Sequence, residues 1–221
     1  MKLTRSICCR EMKKTDVLDS SGEKIGRVTD LTFSFDGKFK LSKFVLAGPR
    51  WEEFLETIKV RPDKDPVFDG SLIKKIDDYV HLDTSVNSLK TTLDADAIPK
   101  GDIRLSQLEK MDIIDNNGEK IGRAIDMDFD VDESVSMIVG GGFIEEKLEA
   151  IGLKTDVDII VPGDVISSIG DKIHLRVSKE SLSTTMDDAL KEREKEVVEA
   201  RREKVIHRDL TKVRLFTQRP M

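Results

Sequence analysis

The sequence predicts a mainly β protein: two tandem small β-barrels, each with a short inserted helix, followed by a C-terminal α-helix and tail. Three observations lead there. The hexapeptide GEKIGR occurs twice, at residues 22–27 and 118–123. Each copy runs into a stretch in which apolar and polar residues alternate, the period of a strand with one buried face. Beyond residue 183 the short apolar runs give way to a long charged segment.

The duplication extends well past the hexapeptide. A shift of 96 places Asp16 on Asp112, Asp19 on Asp115, Gly22 on Gly118, Asp30 on Asp126 and Phe33 on Phe129. After a three-residue deletion the shift becomes 93, and Gly48 meets Gly141, Leu55 meets Leu148, Ile73 meets Ile166, His81 meets His174 and Leu89 meets Leu182. Two copies of a module of this length indicate a duplicated domain rather than a solenoid, which needs at least about three repeats. The predicted organisation is a first repeat over residues 1–90, a linker over 91–102, a second repeat over 103–183, and a charged helix with a basic tail over 184–221.

Within each module Gly22 or Gly118 ends an apolar stretch where a positive φ is needed for the chain to turn back, which predicts a hairpin. In the strand that follows, Leu31, Phe33 and Phe35 alternate with Thr32, Ser34 and Asp36. Its copy alternates Met127, Phe129 and Val131 with Asp126, Asp128, Asp130 and Asp132, so the carboxylates are expected to form a solvated acidic row. The runs SKFVLAG and VSMIVGG suit buried strands. The inserted helices are predicted from Trp51, Phe54, Leu55 and Ile58, and from Ile144, Leu148 and Ile151, which share one helical face in each copy. SLIKKIDDYVHL and DVISSIGDKIHL close the modules as hairpins. Many short strands at close spacing favour closure over an open sheet, because closure removes exposed edges.

Composition excludes several classes. Of 221 residues, 38% are hydrophobic and 36% charged, enough for modest cores beneath a charged surface. No apolar run approaches the roughly 20 residues that span a bilayer, and the first residues lack a secretory h-region, so a cytoplasmic location is expected. Cys8 and Cys9 are adjacent and give no disulfide framework. The net charge of −6 argues against nucleic acid as a general partner.

No catalytic, cofactor or metal site assembles from the sequence. DMDFDVDES has the D-x-D-x-D spacing of an EF-hand, but Glu133 and Val139 stand where the loop needs Gly and Glu. VGGGFIEE carries Glu145 at the third glycine of a dinucleotide fingerprint, and glutamates in a first helical turn repel phosphate. His81 and His174 are expected to face outward from strands, with no partner residues for nucleophilic chemistry. GEKIGR itself is expected to be turn and packing residues.

The D-G-E-K-I-G-R-V order, the alternating strand rich in Asp, the VGG strand end and the closing VP…I…IGDKIHL resemble the PRC-barrel family. The resemblance covers about residues 5–89 and 103–182. It implies a small barrel fold and, among the family's roles, a non-enzymatic protein-interaction adaptor. The tandem arrangement and charged composition are most similar to archaeal stand-alone members, which implies a cell-division adaptor contacting SepF-type anchors or FtsZ-type polymers, as a homo- or hetero-oligomer, and recruitment to the membrane or division site through a partner. The alternative role implied by the family is RNA binding or ribosome maturation. The first copy departs from the pattern at Pro49 and Asp77, where the second has glycine.

The C-terminal segment is predicted to begin a helix of about six turns at the Thr184–Thr185 pair, with Met186, Leu190, Val197, Val198 and Val205 on a loose stripe. The helix could lie on the barrels, pair with another copy or project. The tail beyond it is basic in an acidic protein. Arg208, Lys212 and Arg214 are expected to steer a partner, and Val213, Leu215 and Phe216 to supply contact as an added strand or amphipathic element. A frayed tail, or an arm packed on its own acidic barrel, is the competing reading of the same residues.

Overall fold

The turn that introduces each GEKIGR is built by a buried aspartate. The computed structural model describes residues 5–13, 15–47, 65–132, 134–150, 157–203 and 212–216. Asp19, 8% exposed, accepts on Oδ1 from the backbone N–H groups of Ser21 (2.9 Å) and Glu23 (3.1 Å). Asp115, 2% exposed, accepts from those of Asn117 (2.9 Å) and Glu119 (2.8 Å) in the same pattern. Gly22 and Gly118 then take φ of +83° and +86°, a conformation that favours glycine. The second glycine of the hexapeptide serves close approach: a Cβ on Gly122 would lie 2.6 Å from the Gly140 carbonyl oxygen.

The strands, in chain order, are β1 (Ile7–Cys8), β2 (Asp16–Leu18), β3 (Lys24–Phe35), β4 (Phe39–Ala47), β5 (Pro66–Asp69), β6 (Ile73–Ile76), β7 (Tyr79–Leu82), β8 (Lys90–Thr91), β9 (Ile103–Arg104), β10 (Asp112–Ile114), β11 (Lys120–Phe129), β12 (Val135–Gly140), β13 (Asp158–Pro162), β14 (Ile166–Ile169), β15 (Ile173–Leu175) and β16 (Lys212–Arg214). The helices are α1 (Cys9–Met12), α2 (Leu105–Leu108), α3 (Gly142–Ala150) and α4 (Lys179–Glu203), with 3₁₀ turns at Gly70–Leu72, Val86–Ser88 and Gly163–Val165. One sheet has the order β6-β7-β2-β3-β4-β5-β8 and the other β14-β15-β10-β11-β12-β13-β16. The chain is thus mainly β with two barrel-like sheets, as the sequence predicts.

The copies agree down to their irregularities. β2–β3 and β10–β11 both shift register after Val17 and its counterpart Ile113, and β6–β7 and β14–β15 both shift after Ile73 and its counterpart Ile166. Both share an equivalent parallel pairing, Val17 with Val80 and Ile113 with Ile173. Among the described residues the inserted helix is seen in the second copy as α3, where Ile144 and Leu148 are buried. Trp51, Phe54, Leu55, Ile58 and Ile151 lie outside the described residues.

The compact units cut across the sequence repeats. Unit 1 comprises residues 1–108 and 127–135, and unit 2 comprises residues 109–126 and 136–221. Within unit 1, β1 pairs with the end of β11 (Ile7 with Phe129, Cys8 with Asp128), and its counterpart β9 pairs with β3 (Ile103 with Phe33, Arg104 with Thr32). The first strand of each repeat therefore pairs with the long strand of the other. Phe33 and Phe129, both buried, stack at 6.0 Å in this core, and Phe44 stacks on Phe68 at 4.8 Å.

Those pairings correct the acidic row. Asp126 and Asp128 are each 1% exposed, Asp130 is half-buried and only Asp132 is open to solvent. Asp128 is covered by the arm: Ser6 Oγ donates to Asp128 Oδ1 at 3.3 Å and Cys8 Sγ donates to the same oxygen at 3.8 Å. The counterpart reverses the chemistry, since buried Thr32 donates its hydroxyl to Asp102 at 3.0 Å. Val131, expected inside, is 55% exposed.

In unit 2, α4 begins at Lys179, five residues before the predicted start. Ser178 caps it, accepting from the Ser181 N–H at 3.3 Å, while Thr184 and Thr185 sit inside the helix and donate to carbonyls one turn back. Leu182, Met186 and Leu190, spaced by four, are buried. Lys147 of α3 donates to Ser183 (2.9 Å) and Asp187 (2.8 Å). Among the described residues no helix is long and apolar enough to cross a membrane.

Asp115 joins this helix to the barrel, because its Oδ2 accepts from the Lys179 N–H at 3.0 Å. Burial pushes its carboxyl up, but the N–H groups of Lys179, Glu119, Asn117 and Gly118 outweigh burial and hold it below the ordinary value. Its contribution to stability is therefore full above the unfolded value of about 3.9 and is lost as the pH falls through the lower folded value. Asp115→Ala is expected to cost about 2–3 kcal/mol in urea unfolding at neutral pH. The gap between variant and wild type should narrow at acid pH; a gap independent of pH would count against this role.

Candidate functional site

Ile159, Ile160 and Val161 of β13 are all at most 1% exposed, the pattern of a strand covered on both faces. Such a strand also needs partners for its backbone on both edges. One edge pairs antiparallel with β12, from Ser136 opposite Pro162 to Val139 opposite Ile159. The other is covered by the tail: β16 runs parallel to it, with Lys212 opposite Asp158, Val213 opposite Ile159 and Arg214 opposite Ile160. The Leu215 N–H donates to the Ile160 carbonyl at 2.9 Å.

The first copy covers the corresponding edge differently. There β8, the segment soon after its last hairpin, returns antiparallel onto β5, with Thr91 opposite Pro66 and Lys90 opposite Val67. With the shift of 93, Lys90 and Thr91 correspond to Ser183 and Thr184, which are inside α4. The helix takes the residues that would have closed the sheet, and the strand that closes it arrives only after the helix.

This placement decides the fate of the predicted contact residues. Val213 is 3% and Leu215 0% exposed, both inside unit 2, whereas Lys212, Arg214 and Phe216 are half-buried. Val213 and Leu215, expected to be offered to a partner, instead fill this chain's own barrel. Arg208 lies outside the described residues. The structure thus follows the competing reading of the tail for its apolar residues and leaves its polar residues and Phe216 at the rim.

That rim is a cleft of about 270 Å³ lined by Ser136, Ile160, Pro162, Asp164, Arg214, Leu215 and Phe216. It combines a carboxylate, a guanidinium, a hydroxyl and an aromatic ring over an apolar floor. Phe216 has φ of +57°, in the left-handed region that costs a residue with a Cβ about 1–2 kcal/mol. The backbone therefore holds the ring at this rim against its own preference. Ser136 and Asp164 escaped the sequence reading. The hydroxyl inside the apolar run VSMIV and the acid directly after the strand end VPG were the available signals.

Neither His81 nor His174 lines the cleft. His174 is exposed. His81 Nε2 lies 3.0 Å from Asp77 Oδ1, and the Asp77 carboxyl is held well below the usual range by Lys75 first, then by the Tyr79 N–H and His81. Asp77 stands where the second copy has Gly170, so this exposed cluster belongs to the first copy alone.

Because Leu215 is fully buried, Leu215→Ala is expected to lower unfolding free energy by about 2–5 kcal/mol. Denaturant titration checks this. A change within experimental error would mean that the tail does not occupy the barrel.

Two comparisons bear on descent. Residues 100–182 match the PRC-barrel domain family. No curated protein matches the chain. The matched span begins just before β9, ends in the first turn of α4 and includes β10–β15, so it is the second copy of the repeated module that matches this domain family.

Proposed function

We propose that this chain is a non-enzymatic protein-interaction adaptor whose contact face is the cleft between β13 and the tail. The observation that carries the proposal is the strained Phe216, half-buried at the rim beside Arg214. Aromatic and Arg side chains over an apolar floor with flanking polar groups are what binding hot spots are made of. Backbone strain kept at a surface ring points to a use for that ring. The partner chemistry that fits is a short protein segment with an apolar side chain for the floor and polar groups for Asp164, Arg214 and Ser136.

The finer reading draws on the family. If the first copy is also a PRC barrel, the chain is a tandem member, and a role as a cytoplasmic archaeal cell-division adaptor, brought to the division site by a SepF-type or FtsZ-type partner, is the one we favour. The second half of α4 supports an extended protein contact. Residues 191–196 are exposed apart from half-buried Arg193, and Val198 is 44% exposed.

Phe216→Gly separates binding from folding, because glycine adopts the observed φ without strain while removing the ring. The variant is expected to melt at or above the wild-type temperature, yet to lose the protein that co-purifies with the wild-type chain from its native cells. Nuclease treatment is expected to leave the wild-type complex intact. Retention of the partner by Phe216→Gly rejects the cleft as the contact face, and release by nuclease favours the RNA-binding alternative.

A further inference from the structure

We infer that the β13 edge is a strand-acceptor groove which exchanges its occupant with a second copy of this chain, so that the tail strand of one molecule closes the barrel of another. The inference rests on the β13–β16 pairing and the long connection that supplies β16, and it does not require the partner proposed for the cleft.

The groove recognises its strand through side chains and backbone, not through a tight connection. In the first copy, β8 is delivered by a short return of the chain and its pairing is antiparallel. In the second, β16 pairs in parallel and is separated from β13 by the whole of α4, which is about 37 Å long. A strand supplied through so long a connection has a modest effective concentration for its own groove, so another molecule's strand competes when protein is locally abundant.

The occupant is set by complementarity at alternating positions. Val213 and Leu215 enter the barrel, and Lys212 and Arg214 stay at the rim. Lys212 pairs with acidic Asp158 at one end of β13, and Arg214 shares the cleft with Asp164 just past the other. The groove thus selects a basic–apolar–basic–apolar segment in parallel orientation. The segment known to satisfy it is Lys212–Leu215 itself, and an identical tail satisfies it with the same contacts. Exchange between copies replaces each intramolecular contact by an identical intermolecular one, which makes strand exchange a low-cost route to a dimer.

The test uses two full-length variants, Asp158→Cys and Lys212→Cys, at positions paired across the parallel ladder. Neighbouring strands lie about 4.8 Å apart, within disulfide reach. The native Cys8 and Cys9 are buried, and wild type treated identically gives the background. Placed in one chain, the two substitutions are expected to oxidise within the monomer at low concentration, which verifies the geometry. Mixed as separate chains, incubated at high concentration and then oxidised, they are expected to give several-fold more disulfide-linked heterodimer than either gives homodimer. The excess should fall on dilution before incubation. Oxidation in the doubly substituted chain with no excess heterodimer at any concentration overturns the inference.

A second measurement is independent of disulfide geometry. A nitroxide on Lys212→Cys in unlabelled protein is expected to broaden the amide signals of Ile159–Val161 in ¹⁵N-labelled wild type. Unchanged intensities at those amides overturn the inference as well.

Discussion

A barrel strand with both faces buried has one remaining need, which is a hydrogen-bonding partner on each edge, and β13 meets it with residues from the far end of the chain. Ile159, Ile160 and Val161 are all buried, so water cannot satisfy their backbone groups. The residues that close the equivalent edge in the first copy belong to α4 in the second. Much else in unit 2 follows. Lys212 stands opposite acidic Asp158 in the β13–β16 pairing, Val213 and Leu215 become core, and Arg214 with the residues that follow β16 lines a cleft beside β13.

The helix that creates this need is itself fixed by a turn that the two copies share. Asp19 and Asp115 build the same turn ahead of GEKIGR. In the second copy the free oxygen of that aspartate also receives the first N–H of α4, where a carboxylate complements the helix dipole. One residue therefore serves the hairpin it shares with its duplicate and the helix that distinguishes the copies. Lys147 and Ser178 complete the anchorage of the first half of the helix, up to buried Leu190. Beyond it residues 191–196 are all charged, with no apolar side chain among them to dock on a core.

What the sequence made legible was whatever depends on local pattern. The repeat, the hairpin glycines, the alternating strands and the inserted helix of the second copy are encoded by neighbouring residues. The failures share a cause in long sequence separation. Asp128 looked like a solvent group by residue type and period, but β1 pairs beside it from 120 residues away and brings the Ser6 hydroxyl to it. Thr184 looked like a helix cap because the competing cap, Ser178, gains its advantage from Asp115, far upstream. The tail's alternation correctly signalled a strand, yet nothing local to Lys212–Phe216 says whose sheet it completes. Of the candidate site, Arg214 and Phe216 were legible as an aromatic and a cation in a basic tail. Ser136 and Asp164 were not, because their relevance arises only when β12, β13 and β16 are assembled.

The account rests on the tail strand being part of the folded barrel, and native-state amide hydrogen exchange addresses this at a single bond. The Leu215 N–H donates to Ile160, and its side chain is fully buried. It should exchange far more slowly than an unstructured amide, with a protection approaching that of the Ile159–Val161 amides. Exchange of Leu215 at the rate of an unfolded chain, with β13 still protected, would contradict the closure of this edge by the tail and the cleft built upon it.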